Sequence, residues 1–260
     1  MMRAIQDPVL RRLVERIRAQ VDPDFEFASP GPAPWCPPPA RVLEAPVALI
    51  TTSGLHLKGD RPFTALENPL GDTSFRVIAA GTPASALDLT APYIDQRFIS
   101  ADPEVAIPLR ALDALHRQGL AGPPAARHAS FCGGIVRPLP GLEKSASDLA
   151  ALLREDGVRV VLLFPSCPLC VQTVCLLARA LESDGFSTVC VTLVPELTGI
   201  VGAPRSLALR FRFGAPCGDP GNAALHRAVI QSALALLEEA REPGTVHRSS
   251  LLWREPRPDQ

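Results

Sequence analysis

The chain has no surplus of either charge: 26 Lys and Arg stand against 27 Asp and Glu in 260 residues, a formal net charge of -1. No basic run stands out beyond the solvated face of an N-terminal helix, so the electrostatic footprint of a nucleic-acid binder is missing. Nothing approaches the roughly 18 consecutive apolar residues that a membrane span needs. The opening residues Met1 to Asp7 carry no apolar signal-peptide core. No membrane partner is expected, and the expected location is the cytoplasm. Aromatic residues are only 5% of the chain, whereas prolines number 28, which indicates many turns and says little about function. Seven cysteines, an odd number scattered over a mid-sized chain, do not form the disulfide framework of a small secreted domain. In a reducing compartment, paired thiols point to chemistry or to metal.

What is there alternates strand and helix. Asp7 before Pro8 predicts a helix start, with Val9, Leu13 and Ile17 recurring as a narrow apolar face. Residues 30–39 are too rich in proline for helix or central strand and predict an extended connector. From residue 42 the character changes. Apolar runs at 45–52, 75–79, 158–164 and 187–194 predict strands, with a further one at 206–211. Periodic segments at 108–118, 146–154, 171–183 and 223–240 predict helices. The stretch 83–102 fits neither pattern, the residues before Cys132 read as poor in strand, and the tail after Glu242 reads as polar and loosely held. The expected fold is α/β with a mostly parallel, doubly wound sheet of the Rossmann or flavodoxin kind. Residues 1–41 give a helix and connector, 42–240 the α/β body, as one unit or as two lobes (42–140 and 141–240), and 241–260 a tail.

One spacing carries chemistry. In Pro165-Ser166-Cys167-Pro168-Leu169-Cys170 a buried strand turns into a helix, and in open α/β sheets ligand and catalytic groups gather at such carboxyl ends. A thiolate at a helix N-terminus is favoured by the free N–H groups there, so Cys167 is the expected nucleophile. Cys170, one turn on, is placed to resolve a mixed disulfide. Two other readings stay open: half of a zinc site, which wants a second pair that the isolated Cys36, Cys132, Cys190 and Cys217 do not form in sequence, and a pair of inert buried cysteines. Cys175 completes an iron–sulfur-like spacing but falls on an apolar helical stripe, as a core residue does. Cys132, after His128 and before two glycines, marks either a close approach to a ligand or a plain loop. His56, just past the first strand, faces the same cleft or only solvent. Arg205 and the loop 214–221 offer an anion site or a structural turn.

Thr52-Ser53-Gly54, Gly71-Asp72-Thr73-Ser74-Phe75-Arg76 and Pro165 to Thr173, with Gly185 to Val189 and Gly214 to Pro220, together resemble the B-component family of glycine, sarcosine and betaine reductases and D-proline reductase. The resemblance spans most of residues 42–240. It implies an oxidoreductase that cleaves a substrate C–N bond reductively, with Cys167 at the family's selenocysteine position and Cys170 as its partner. A thiolate is a weaker nucleophile and leaving group than a selenolate. The family's enzymes work with a pyruvoyl-bearing subunit and other components, and nothing in this chain is a cleavage site for making that group. The expected activity is therefore thiol-dependent reduction of a small amino-acid-like substrate or a disulfide, with no cofactor beyond the dithiol; zinc or an iron–sulfur cluster is the alternative. Expected partners are a small molecule, a thioredoxin-like electron donor or fellow reductase subunits. The candidate catalytic residues are Cys167 and Cys170, and the candidate substrate-side residues are Gly54, His56, His128, Cys132, Gln172 and Arg205.

Overall fold

The computed structural model describes residues 5–253; the opening residues 1–4 and the end of the expected tail, 254–260, lie outside them. The helix α1 (Pro8–Gln20) begins as its sequence predicts, with the Asp7 carboxylate accepting from the amides of Val9 and Leu10 and Pro8 in the first turn. Its buried face is Leu10, Val14 and Ile17, while Val9 is 46% exposed. The expected stripe through Val9 and Leu13 is one residue out of register, because each set recurs at nearly the same interval.

The body runs β1 (Val47–Thr51), β2 (Leu55–Leu57), β3 (Phe75–Ala79), β4 (Leu87–Leu89), α2 (Arg97–Ala101), α3 (Leu109–Arg117), β5 (Arg127–Phe131) and α4 (Gly141–Glu155). It continues with β6 (Val160–Phe164), α5 (Pro168–Ser183), β7 (Ser187–Thr192), α6 (Pro195–Val201), β8 (Arg205–Arg210), α7 (Ala223–Glu239) and β9 (Thr245–Leu252). Seven strands form one sheet in the order β3-β5-β1-β6-β7-β8-β9, and β2 pairs with β4 apart from it. All neighbours are parallel except β3 with β5. Strands β1 and β6 are buried at every residue, as continuous apolar runs demand when both faces are covered. On one face α1, α4, α5 and α6 pack against Ala48, Ile50, Val161 and Leu163. On the other, α3 and α7 pack against Leu49, Leu162, Val189 and Leu207. The expected doubly wound α/β fold is what the chain forms. The last crossover, β8 to β9 through α7, travels the same way along the sheet as the three before it but on the opposite face, and so has the opposite hand.

Two expectations are corrected. The residues before Cys132 are not poor in strand: Arg127–Phe131 is β5, paired with β1 on one side and β3 on the other. Its polar His128 and Ser130 break the apolar run that betrays other strands. The tail is not loosely held either, since β9 pairs in parallel with β8. It is an edge strand with one neighbour, so it needs no apolar run. No helix among the described residues is long and apolar enough to cross a membrane.

The proline-rich connector is extended, as expected, and is held by two arginines. Arg179 donates to the carbonyls of Pro30, Gly31, Pro32 and Gly202. Arg205 is fully buried, pairs with Glu182 at 2.6 Å, donates to the Cys36 carbonyl and lies 3.6 Å from the Trp35 ring. Burial pushes the Glu182 carboxyl up from its usual range and pulls the Arg205 guanidinium down, and each is the other's counter-charge, with the Cys36 amide and Thr188 also donating to Glu182. Glu182→Gln is expected to lower the unfolding free energy by about 3 kcal/mol, because it strands a buried charge. The urea midpoint at unchanged slope measures this; a midpoint equal to that of the parent protein would show that the pair carries no net stability.

Candidate active site

From β1 the chain first moves to one side, to β5, and then crosses back to β6 and onward to the other side. The gap between the carboxyl ends of β1 and β6 is therefore a topological switch point, the place where open α/β sheets bind ligands. Pro165 and Ser166 follow β6 there, and Cys167 is the N-cap of α5 in an extended conformation (φ -143°, ψ 167°) with Pro168 in the first turn. Cys167 Sγ accepts a hydrogen bond from the Cys170 amide at 3.0 Å, so a sulfur fills the capping role that Ser or Asp takes elsewhere. The two sulfurs are joined as a disulfide, across a Cα–Cα distance of 4.8 Å that suits such a bridge. Both residues are buried, Cys167 at 6% exposure and Cys170 at 2%.

Three segments close around Cys170. The Thr52 carbonyl lies 3.6 Å from Cys170 Sγ and accepts from the Gly133 amide at 3.2 Å. The Gly133 carbonyl in turn accepts from Thr173 Oγ1 at 2.7 Å. A Cβ on Gly133 would run into the Thr52 side chain, so the close approach that two glycines after Cys132 suggest is an approach to Thr52. Gly54 has φ +79°, and a Cβ there would strike the Thr90 carbonyl, so Gly54 serves the backbone turn.

Cys132 pairs through its backbone with Ser53, and its sulfur lies 3.3 Å from the Thr90 carbonyl. Burial, with the Asp72 carboxylate nearby, pushes its thiol up to about 12, so near neutral pH it is a thiol and a poor nucleophile. His56 is buried at 3% exposure, its Nε2 3.0 Å from Thr90 Oγ1 and its Nδ1 2.9 Å from the Leu57 carbonyl. Gly54, His56 and Cys132 thus meet around Thr90, beside the dithiol's own contacts. Gln172 is fully buried on α5 and accepts from the Ala28 amide at 2.7 Å, facing the N-terminal segment. Arg205 lies in its pair with Glu182 under Trp35, at the start of β8. His128 sits inside β5, where its Nδ1 takes the Leu49 amide at 2.9 Å. Four residues of this junction, Thr52, Thr90, Gly133 and Thr173, are not among the candidates that the sequence singles out. Thr173 lies in the Pro165-to-Thr173 segment, whereas Thr90 falls in the stretch that fits no pattern.

Two cavities, of about 390 and 380 Å³, lie elsewhere: one between the end of β3 and α3, the other between the connector, α4 and α5. Neither is lined by Cys167 or Cys170. Among the described residues no group of three or more His, Cys, Asp or Glu side chains is gathered to hold a metal ion.

His128 gives a measurable signature. Burial lowers its pKa from 6.5 to about 4, so as pH falls the unfolded chain takes up the proton first. The stability tied to the neutral ring is complete above pH 6.5 and is lost down to pH 4, about 3 kcal/mol for a shift of this size. His128→Gln should flatten that part of the stability-against-pH curve measured by urea unfolding; parallel curves for the two proteins would refute the assignment.

Comparison with known proteins returns two reductase components. The chain is 27% identical over 215 residues to the D-proline reductase subunit gamma of Acetoanaerobium sticklandii, covering 83% of this chain and 87% of that protein. It is 25% identical over 233 residues to the sarcosine reductase complex component B subunit beta of Peptoclostridium acidaminophilum, covering 86% of this chain and 51% of that protein, so it spans about half of the second relative. No protein-family model matches the chain, and no solved structure does. Along most of its length, then, the chain is similar to components of D-proline and sarcosine reductases, which bears out its resemblance to the B-component family of glycine, sarcosine and betaine reductases and D-proline reductase.

Proposed function

We propose that this chain is a thiol-dependent oxidoreductase component in which Cys167 and Cys170 cycle between dithiol and disulfide while reducing a small amino-acid-like substrate. The observation that carries the reading is the placement of Cys167 as the N-cap of α5 at the switch point, with the Cys170 amide donating to its sulfur at 3.0 Å. A donor N–H and the positive end of a 16-residue helix both favour the thiolate over the thiol. Cys167 attacks the electrophilic centre of the substrate and displaces the amine of its C–N bond, or attacks one sulfur of a disulfide and displaces the other as a thiol. Cys170 then attacks the Cys167 sulfur and releases the reduced product, leaving the intramolecular disulfide. An external thiol or a thioredoxin-like donor returns two electrons and two protons. Both relatives are named as subunits of reductases, and the dithiol here is nearly closed to solvent. Those facts support work alongside partner subunits, one of which presents the substrate.

Brief alkylation of the reduced protein at pH 7, followed by peptide mass spectrometry, tests the reading. Cys167 should be marked at least about tenfold faster than Cys132, Cys190 or Cys217, and Cys167→Ser should abolish formation of the internal disulfide in a glutathione buffer. A Cys167 no faster than an ordinary free thiol would overturn it. So would zinc or iron bound at near-stoichiometric level.

A further inference from the structure

The two sulfurs of the pair stand in opposite electrostatic surroundings. Cys167 Sγ receives an N–H, from Cys170; a donor favours the thiolate. Cys170 Sγ faces the oxygen of the Thr52 carbonyl at 3.6 Å, and a carbonyl oxygen has only lone pairs to offer, so it favours S–H over S⁻. That carbonyl is not free to turn away. The Gly133 amide donates to it at 3.2 Å, and Thr173, one turn beyond Cys170 on the same helix, holds the Gly133 carbonyl at 2.7 Å. Gly133 also packs directly on the Thr52 side chain, with no room for a Cβ between them. Helix α5, the loop after β5 and the end of β1 are thereby joined into one relay that ends at the Cys170 sulfur.

We propose that Thr173, acting through Gly133 and Thr52, is a positioning residue that keeps the proton on Cys170 in the reduced protein and so biases the couple toward dithiol. The proposal rests on the dithiol chemistry put forward above. In the disulfide Cys170 carries no proton and the Thr52 contact is no hydrogen bond; on reduction the thiol can donate to that oxygen, which stabilises the reduced form alone. The retained proton also has a destination. When Cys170 attacks the sulfur of a Cys167–substrate adduct, the S–S bond forms and the bond from Cys167 to the substrate fragment breaks. The bonding pair leaves with the fragment, and the Cys170 proton follows it. The two cysteines lose two electrons, the fragment gains two, and the fragment leaves protonated.

Thr173→Val removes the donor at nearly constant shape. The full chain and this variant are equilibrated in glutathione redox buffers, and the dithiol-to-disulfide ratio of Cys167 and Cys170 is read by alkylation and mass spectrometry. The expected shift is about threefold toward disulfide, the size of a weak sulfur hydrogen bond. Cys170 should also begin to alkylate at lower pH, and Thr173→Ser, which keeps the hydroxyl, should retain the parent behaviour in both. Gly133→Ala, which forces Thr52 to move, should shift the ratio in the same direction as the valine variant and serves where that variant does not fold. Folded variants with the parent ratio and the parent Cys170 profile would overturn the proposal. A parent protein whose cysteines do not interconvert at all would instead overturn the dithiol chemistry itself.

Discussion

The parallel pairing of β1 with β6, register by register from Val47 with Val160 to Thr51 with Phe164, decides where Cys167 and Cys170 stand. Because the chain leaves β1 toward one side of the sheet and returns to continue on the other, the two loops leaving these strands part at their carboxyl ends. Strand β1 runs out into Thr52-Ser53-Gly54, and β6 runs out into Pro165-Ser166-Cys167. Their closeness needs no contact of its own; it comes with the register. The loop after β5 joins from the far side, since β1 and β5 pair Ile50 with Ala129 and Thr51 with Ser130. Cys132 and Gly133 therefore arrive at the same height.

Within that junction, position separates one thiol from the others. Burial, with neighbouring thiol or carboxylate groups in second place, pushes the thiols of Cys132, Cys190 and Cys217 upward, and none of them lies at the start of a helix. Cys167 is as deeply placed as a core residue, but it meets an amide donor and the end of a helix instead of hydrocarbon alone. Low exposure usually argues against reactivity. Under the chemistry proposed above, low exposure is what a site completed by a partner subunit would show; neither of the two cavities described is lined by Cys167.

Much of this is legible in the sequence wherever one force dominates. The runs 47–51 and 160–164 declare buried strands because they are almost wholly apolar, and Asp7-Pro8 and Cys167-Pro168 declare helix starts because proline there costs no hydrogen bond. Strand β5 is hidden because its identity depends on tertiary partners: His128 is tolerated in the sheet only since its ring takes the Leu49 amide. Strand β9 is hidden because an edge needs no apolar face. In the site, the Cys-x-x-Cys spacing points to the two sulfurs, but the groups that differentiate them are main-chain atoms of Thr52 and Gly133, which no side-chain pattern announces. Arg205 reads as part of an anion site or of a structural turn, because an arginine after Pro204 gives no sign of Glu182, 23 residues earlier, waiting in the core.

The connector shows how the N-terminal segment bears on the dithiol helix. A proline-rich strand makes few hydrogen bonds of its own, so its course must be set by whatever it lies on. That support is α5: Arg179 collects three connector carbonyls, Glu182 binds the Cys36 amide and Gln172 accepts from Ala28. These three residues lie along the helix that begins at Cys167, so the segment before β1 braces its length while Thr173 ties its first turns to the strand ends. A helix held along its length and at its start has little freedom to tilt, and the position of its N-cap sulfur is set by that rigidity. A side chain built on such an element keeps its geometry, because the packing along the helix and not the loop before it fixes where the first turn stands.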